Sequence, residues 1–140
     1  MARETKVIDA SVLVKWFVNE PHRDGALQLR SDHIAGKILL LVPELAFLEV
    51  LNTLRYKNHD AKALIEINKD LWEIQMHVER LGELLLEKSA ELAIQYKLTL
   101  YDATYVALAQ LSNSQLITAD KALKNIPGVI LLSENISLKK

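Results

Sequence analysis

Three aspartates in this sequence stand where a carboxylate could do chemistry. Asp9 follows the β-type pair Val7-Ile8 and precedes a helical segment, within KVIDASVLVKWF at 6–17. Asp120 closes LITAD after the strand-like Leu116-Ile117-Thr118, and Asp102 opens a helix in TLYDATYVALAQ. Carboxylates gathered in one place repel and raise each other's pKa. A hard divalent cation relieves that repulsion, and Mg²⁺ binds one or two carboxylates while keeping several waters. Such an ion acidifies bound water and stabilises charge on phosphate oxygens, which is the chemistry of phosphodiester hydrolysis. The same aspartates also read as helix caps or first-turn acids, each worth about 1 kcal/mol. Spacing alone leaves both readings standing.

The elements that must position these acids follow from the hydrophobic pattern. Apolar β-type runs lie at 6–8, 38–42, 115–118 and 129–132, with a weaker one at 77–81. Their near-continuous hydrophobicity predicts strands covered on both faces, as in a parallel sheet. Helical patterns at 43–54, 61–74, 83–96 and 103–111 fill the gaps. Pro43 is expected in the first turn of its helix, ahead of a stripe of Phe47, Val50, Leu51 and Leu54. Leu64, Ile67, Leu71 and Ile74 share a face of the next helix. The alternation predicts an α/β fold with its ligand crevice outside the carboxyl ends of the strands. Asp9 and Asp120 both fall there.

At 140 residues, half of them hydrophobic and a quarter charged, the chain reads as one soluble domain spanning 1–140. A net charge of −1 gives no global basic field, although a local basic patch stays open. Lys15, Arg55, Lys57, Lys121 and Lys124 flank the acidic motifs and read either as phosphate contacts or as scattered surface lysines. The absence of cysteine excludes disulfides, zinc-thiolate sites and cysteine nucleophiles. MARETKV has no apolar signal region, and the aliphatic run at 38–42 is too short to span a bilayer. A cytoplasmic protein with no membrane association is the expectation. His22, His33, His59 and His77 lack paired metal-ligand spacing and read mostly as surface residues. Trp16 and Trp72 read as packing residues. No nucleophile elbow, P-loop or dinucleotide fingerprint occurs.

DAS after the first strand, P-x-L-x-x-x-E-V-x-N-x-L at 43–54, YDATYVALA at 101–109 and LITAD ending at Asp120 together resemble the PIN-domain family. The likeness is strongest to the compact VapC-type toxin ribonucleases of toxin–antitoxin pairs, and it runs nearly end to end. It implies a three-layer sandwich, with a central, mainly parallel sheet flanked by helices. It also implies an acidic pocket of Asp9, Glu49, Asp102 and Asp120 holding Mg²⁺ or Mn²⁺, with Asp9 and Asp102 as direct ligands. Ser11 and Thr118 would orient carboxylates or waters; Ser11 as a helix cap and Thr118 as a plain strand residue are the competing readings. Glu49 lies nearly opposite the apolar stripe of its helix, where a solvated acid is expected, and Glu44 is its rival. Only the family pattern selects Glu49. The resemblance further implies RNA as substrate, a cognate antitoxin protein and a homodimer. A PIN nuclease of RNA processing without an antitoxin, and a catalytically silent PIN-fold binding module, are the alternatives; retention of all four acids argues against the second.

Overall fold

The computed structural model describes residues 3–135. Its centre is a sheet of five parallel strands: β1 (Glu4–Ile8), β2 (Ile38–Pro43), β3 (His77–Glu79), β4 (Gln115–Thr118) and β5 (Val129–Leu131). Val7 and Ile8 point to opposite faces, as neighbours in a strand must, and both are fully buried. Helices therefore cover the sheet on both sides, and this is why β2 and the end of β1 read as apolar runs instead of alternating. The two edge strands have three residues each, which leaves little unpaired edge for a foreign strand.

Strand order is β3-β2-β1-β4-β5. The chain builds outward from β1 to β2 and β3, then returns to the other side of β1 for β4 and β5. The order thus reverses between β1 and β4, and a crevice opens outside their carboxyl ends at such a switch point. Among the described residues, seven helices surround the sheet: α1 (Ala10–Leu13), α2 (Arg23–Ile34), α3 (Leu45–Tyr56), α4 (Ala61–Glu73), α5 (Glu83–Tyr96), α6 (Leu100–Leu111) and α7 (Leu132–Asn135). Helix α6 packs across β1, β2 and β4 with α5 against it, while α2 packs on β2 and α7. No helix among the described residues is long and apolar enough to cross a membrane.

Local chemistry moves several boundaries from where the pattern puts them. Pro43 ends β2 instead of opening α3, because pairing with β3 continues through Pro43 and the Glu44 N–H donates to the Glu79 carbonyl at 2.8 Å. Helix α6 starts at Leu100, earlier than the apolar run, because the Thr99 hydroxyl caps it by accepting from the Asp102 N–H. Helix α2 has no readable stripe: its inward face is Gly25, Ala26, Leu29 and His33. Trp16 is buried, and Trp72 packs edge-on against Phe47 while more than half of its surface stays exposed.

His33 departs from the surface reading. It is buried at the end of α2, where its Nδ1 accepts from the Leu40 N–H at 3.0 Å. The opposite nitrogen, Nε2, therefore carries the proton and donates toward the carbonyls of Ile74 and Gln75. Strand β3 pairs with β2 only from Leu41 onward, so the imidazole takes the backbone donor just before that pairing begins. One ring ties α2, β2 and the end of α4. Replacing it orphans a buried N–H, at a cost of about 1–3 kcal/mol. His33→Leu should lose about that much stability in denaturant unfolding, and His33→Gln, which keeps an acceptor and a donor, should lose less.

Candidate active site

Asp9 sits directly after β1 with extended backbone, ends the strand and caps α1. Its carboxylate is buried, so its oxygens need donors. Oδ1 accepts from the Ser11 hydroxyl at 2.5 Å and from the Val12 N–H at 3.4 Å, while Oδ2 accepts from the Thr118 hydroxyl at 2.5 Å. Strand pairing explains the last contact: Ile8 lies opposite Ile117, so the next residues of β1 and β4 meet. The two hydroxyls are themselves held. Ser11 accepts from the Ala119 N–H at 2.9 Å, and Thr118 accepts from the Asp120 N–H at 3.0 Å. Asp9 thus fastens the end of β1 to the end of β4.

The other acids approach from the helices. Glu49 leaves α3 on the side away from the apolar stripe and accepts from the Tyr105 hydroxyl at 2.5 Å. Glu44 is exposed and engaged elsewhere, accepting from the Leu81 N–H at 2.8 Å. Asp102 lies in the first turn of α6, one helical turn before Tyr105. Asp120 caps a 3₁₀ turn, with Oδ1 accepting from the Ala122 N–H at 2.9 Å. Asp9 and Asp120 therefore do cap helices, whereas Asp102 leaves that task to Thr99.

Electrostatics bind these residues into one group. Burial pushes the Asp9 carboxyl up to about 6, against the pull of Ser11, Thr118 and Val12, and the charge of Asp102 adds to the rise. Burial also raises Glu49, opposed by the Tyr105 hydrogen bond and helped by Asp102. Asp102 is raised by burial and then by Asp120. Each of the four acids is thus close enough to feel or to exert charge on another. None forms an ion pair with a lysine, arginine or histidine among the described residues. No group of three or more histidine or acidic side chains among the described residues stands close enough together to hold a metal ion. The arrangement instead offers hard oxygen donors in ones and twos, which suits an ion that keeps part of its water shell.

Tyr105 is the residue the sequence hides. It is almost fully buried and lies beneath the acids, between Glu49 and the Asp9-Ala10 turn. Burial, then the charge and hydrogen bond of Glu49, raise its phenol well above the ordinary value, so it stays a donor. Its spacing of three from Asp102 puts both on one helix face, but an aromatic inside an apolar run reads as core.

Two measurements follow, both in the presence of a chelator. Asp9 has a folded pKa near 6 against 3.8 for the free residue, so the folded state holds the extra proton between those values. Stability must then fall as pH rises from about 4 to about 6, by about 3 kcal/mol in all. Asp9→Asn should flatten that slope and stabilise the metal-free protein at pH 7, as read by pH-dependent chemical denaturation. Tyr105→Phe keeps the packed ring and removes the donor, so the Glu49 titration should move further up in a carboxyl-resolved NMR titration.

Comparison with known proteins places the fold. The PIN domain family model matches residues 6–129. Ribonuclease VapC3 of Pyrobaculum aerophilum is 32% identical over 134 residues, covering 89% of this chain and 96% of that protein. A toxin–antitoxin complex from Klebsiella pneumoniae shares the fold with a TM-score of 0.70 and 23% identity, over 91% of this chain and 97% of that one. VapC20 of Mycobacterium tuberculosis, a sarcin–ricin loop cleaving toxin, does so with a TM-score of 0.66 and 14% identity, over 85% and 91%. At those identities the two solved structures speak to fold alone. Sequence and architecture agree, and this chain belongs to the PIN-domain family, with its likeness among the VapC-type proteins.

Proposed function

We propose that this chain is a Mg²⁺- or Mn²⁺-dependent endoribonuclease and the toxin of a toxin–antitoxin pair, acting in the cytoplasm. The observation that carries the reading is a set of four carboxylates, three of them each feeling the charge of another and none with a cationic partner among the described residues. Such a set is costly to hold unless a cation joins it. The relative named a ribonuclease, matched over nearly its whole length, supports RNA as the substrate.

Asp9 and Asp102 would hold the ion directly, with Glu49 and Asp120 completing its surroundings directly or through water. Bound there, the ion would supply Lewis acidity toward water and toward the phosphate oxygens. The protein's own part is positioning. Ser11 and Thr118 fix the Asp9 carboxylate in one orientation, and Tyr105 does the same for Glu49. Hydrolysis forms one bond from phosphorus to a water oxygen and breaks one ester bond in the RNA strand. A homodimer of closed two-fold symmetry and a cognate antitoxin complete the proposal. Leu48, Ile65 and Trp72, exposed on α3 and α4, offer apolar surface for such contacts. An antitoxin arginine or lysine set against the carboxylates would inhibit by replacing the cation.

The test is cleavage of a defined single-stranded RNA at equal folded concentrations. Wild type with Mn²⁺ or Mg²⁺ should cut it, and chelator or Asp102→Asn should each lower the rate by about a hundredfold or more. Mn²⁺ should also raise the melting temperature of wild type and not that of Asp9→Asn. Equal rates for wild type and Asp102→Asn would remove the acid pocket from the reaction.

A further inference from the structure

A second charged group adjoins the acid pocket, and it is built around Lys15. The 3₁₀ turn at Val14–Trp16 continues α1 away from Asp9 and carries this lysine, which is only 7% exposed. Lysine is almost never buried unless paired. Lys15 Nζ lies 3.3 Å from Glu20 Oε1, and the other Glu20 oxygen lies 3.4 Å from Lys57 Nζ at the end of α3. One carboxylate therefore holds two ammonium groups, and the trio keeps a net charge of +1.

The turn beneath Lys15 is held by side-chain hydrogen bonds. Arg23 donates from Nε to the Lys15 carbonyl at 2.9 Å and from Nη2 to the Trp16 carbonyl at 3.1 Å. Trp16 in turn donates from its indole to the Ala26 carbonyl at 2.8 Å. A lysine that merely solvates a surface needs no such support.

Lys15, Glu20 and Lys57 line an open groove of about 410 Å³ together with Ser11, Thr53 and Ala119. Ser11 and Ala119 are also the wall of the acid pocket, since the Ser11 hydroxyl donates to Asp9 and accepts from Ala119. The groove thus adjoins Asp9 through Ser11, with positive charge beside negative. A polyanion entering an acid pocket is repelled by it except where the cation sits, so an adjoining positive site is where its next charge can rest. The open shape suits an extended strand more than a small enclosed anion.

We propose that Lys15 and Lys57 form a subsite for a backbone phosphate neighbouring the one in the acid pocket, with Glu20 holding the two ammonium groups in place until the phosphate takes them. The subsite rests on the ribonuclease reading for the identity of its strand, and it deepens that reading by giving the strand a direction across the protein. Lysine contacts of this kind position the chain and carry no base preference.

The experiment measures binding, separately from cleavage. A labelled single-stranded RNA is titrated with the full chain carrying Asp102→Asn, across a range of salt concentrations. Lys15→Met, which keeps the apolar stem, and Lys57→Ala should each weaken binding about fivefold and lower the salt slope by about 0.7. Glu20→Gln should tighten binding, because it removes the one negative charge of the trio. Lys57 is nearly half exposed, so its variant tests the subsite even where Lys15→Met melts early. Unchanged affinity and slope in both lysine variants would overturn the subsite, as would binding of an acidic peptide in place of RNA. An active wild type with no lysine effect removes the subsite alone. A wild type that cleaves nothing, yet loses RNA affinity with each lysine, keeps the subsite and removes the hydrolysis.

Discussion

The molecule is organised around a buried negative charge. Asp9 lies between two strands, almost out of water, and satisfies its oxygens with hydroxyls from Ser11 and Thr118 and a backbone N–H from Val12. An apolar residue of similar size would pack there at less cost to stability, since a carboxyl pushed up to about 6 is a charge the fold resists. The hydroxyls do not remove that resistance. They aim the carboxylate and tie the β1 and β4 loops around it, and the charge of Asp102 reaches it from the start of α6. The fold thus keeps an unfavourable group in a fixed position, which is how sites prepared for a ligand differ from ordinary core.

How far the sequence reveals this depends on what each residue answers to. Strand β2 is legible because both faces are covered, so nearly every position is apolar, while β1 and β4 show themselves through the fully buried pairs Val7-Ile8 and Leu116-Ile117. Helix α2 is not, because Gly25, Ala26 and His33 bury as well as a leucine would when neighbours come close, and none registers as a hydrophobic stripe. Pro43 is ambiguous in isolation: a missing N–H suits both a strand end and a helix start. Only the pairing with β3 decides between them.

The site shows the same division. Asp9 and Asp120 are visible as acids after strands, because topology sends such positions to one edge. Glu49 is a solvated residue by periodicity, and its place beside Tyr105 depends on how α3 and α6 face each other across the crevice. Tyr105 and Lys15 are concealed by opposite expectations. A tyrosine in an apolar helix passes for packing, and a lysine passes for surface even between apolar neighbours. In both cases the informative feature is a polar atom held inside, and that is a property of three dimensions.

The strand order has a temporal consequence. Thr118 and Asp9 are 109 residues apart in sequence yet share a hydrogen bond, because β4 inserts beside β1 after β2 and β3 are already laid down. A chain emerging from the ribosome holds Asp9 early, at a few residues to about twenty per second, and waits several seconds for its partner strand. Until then the first aspartate stays in water at its ordinary acidity, and the crevice has only one bank. The long-range closure that makes such topologies slow to fold also delays the assembly of the pocket until β4 has been made.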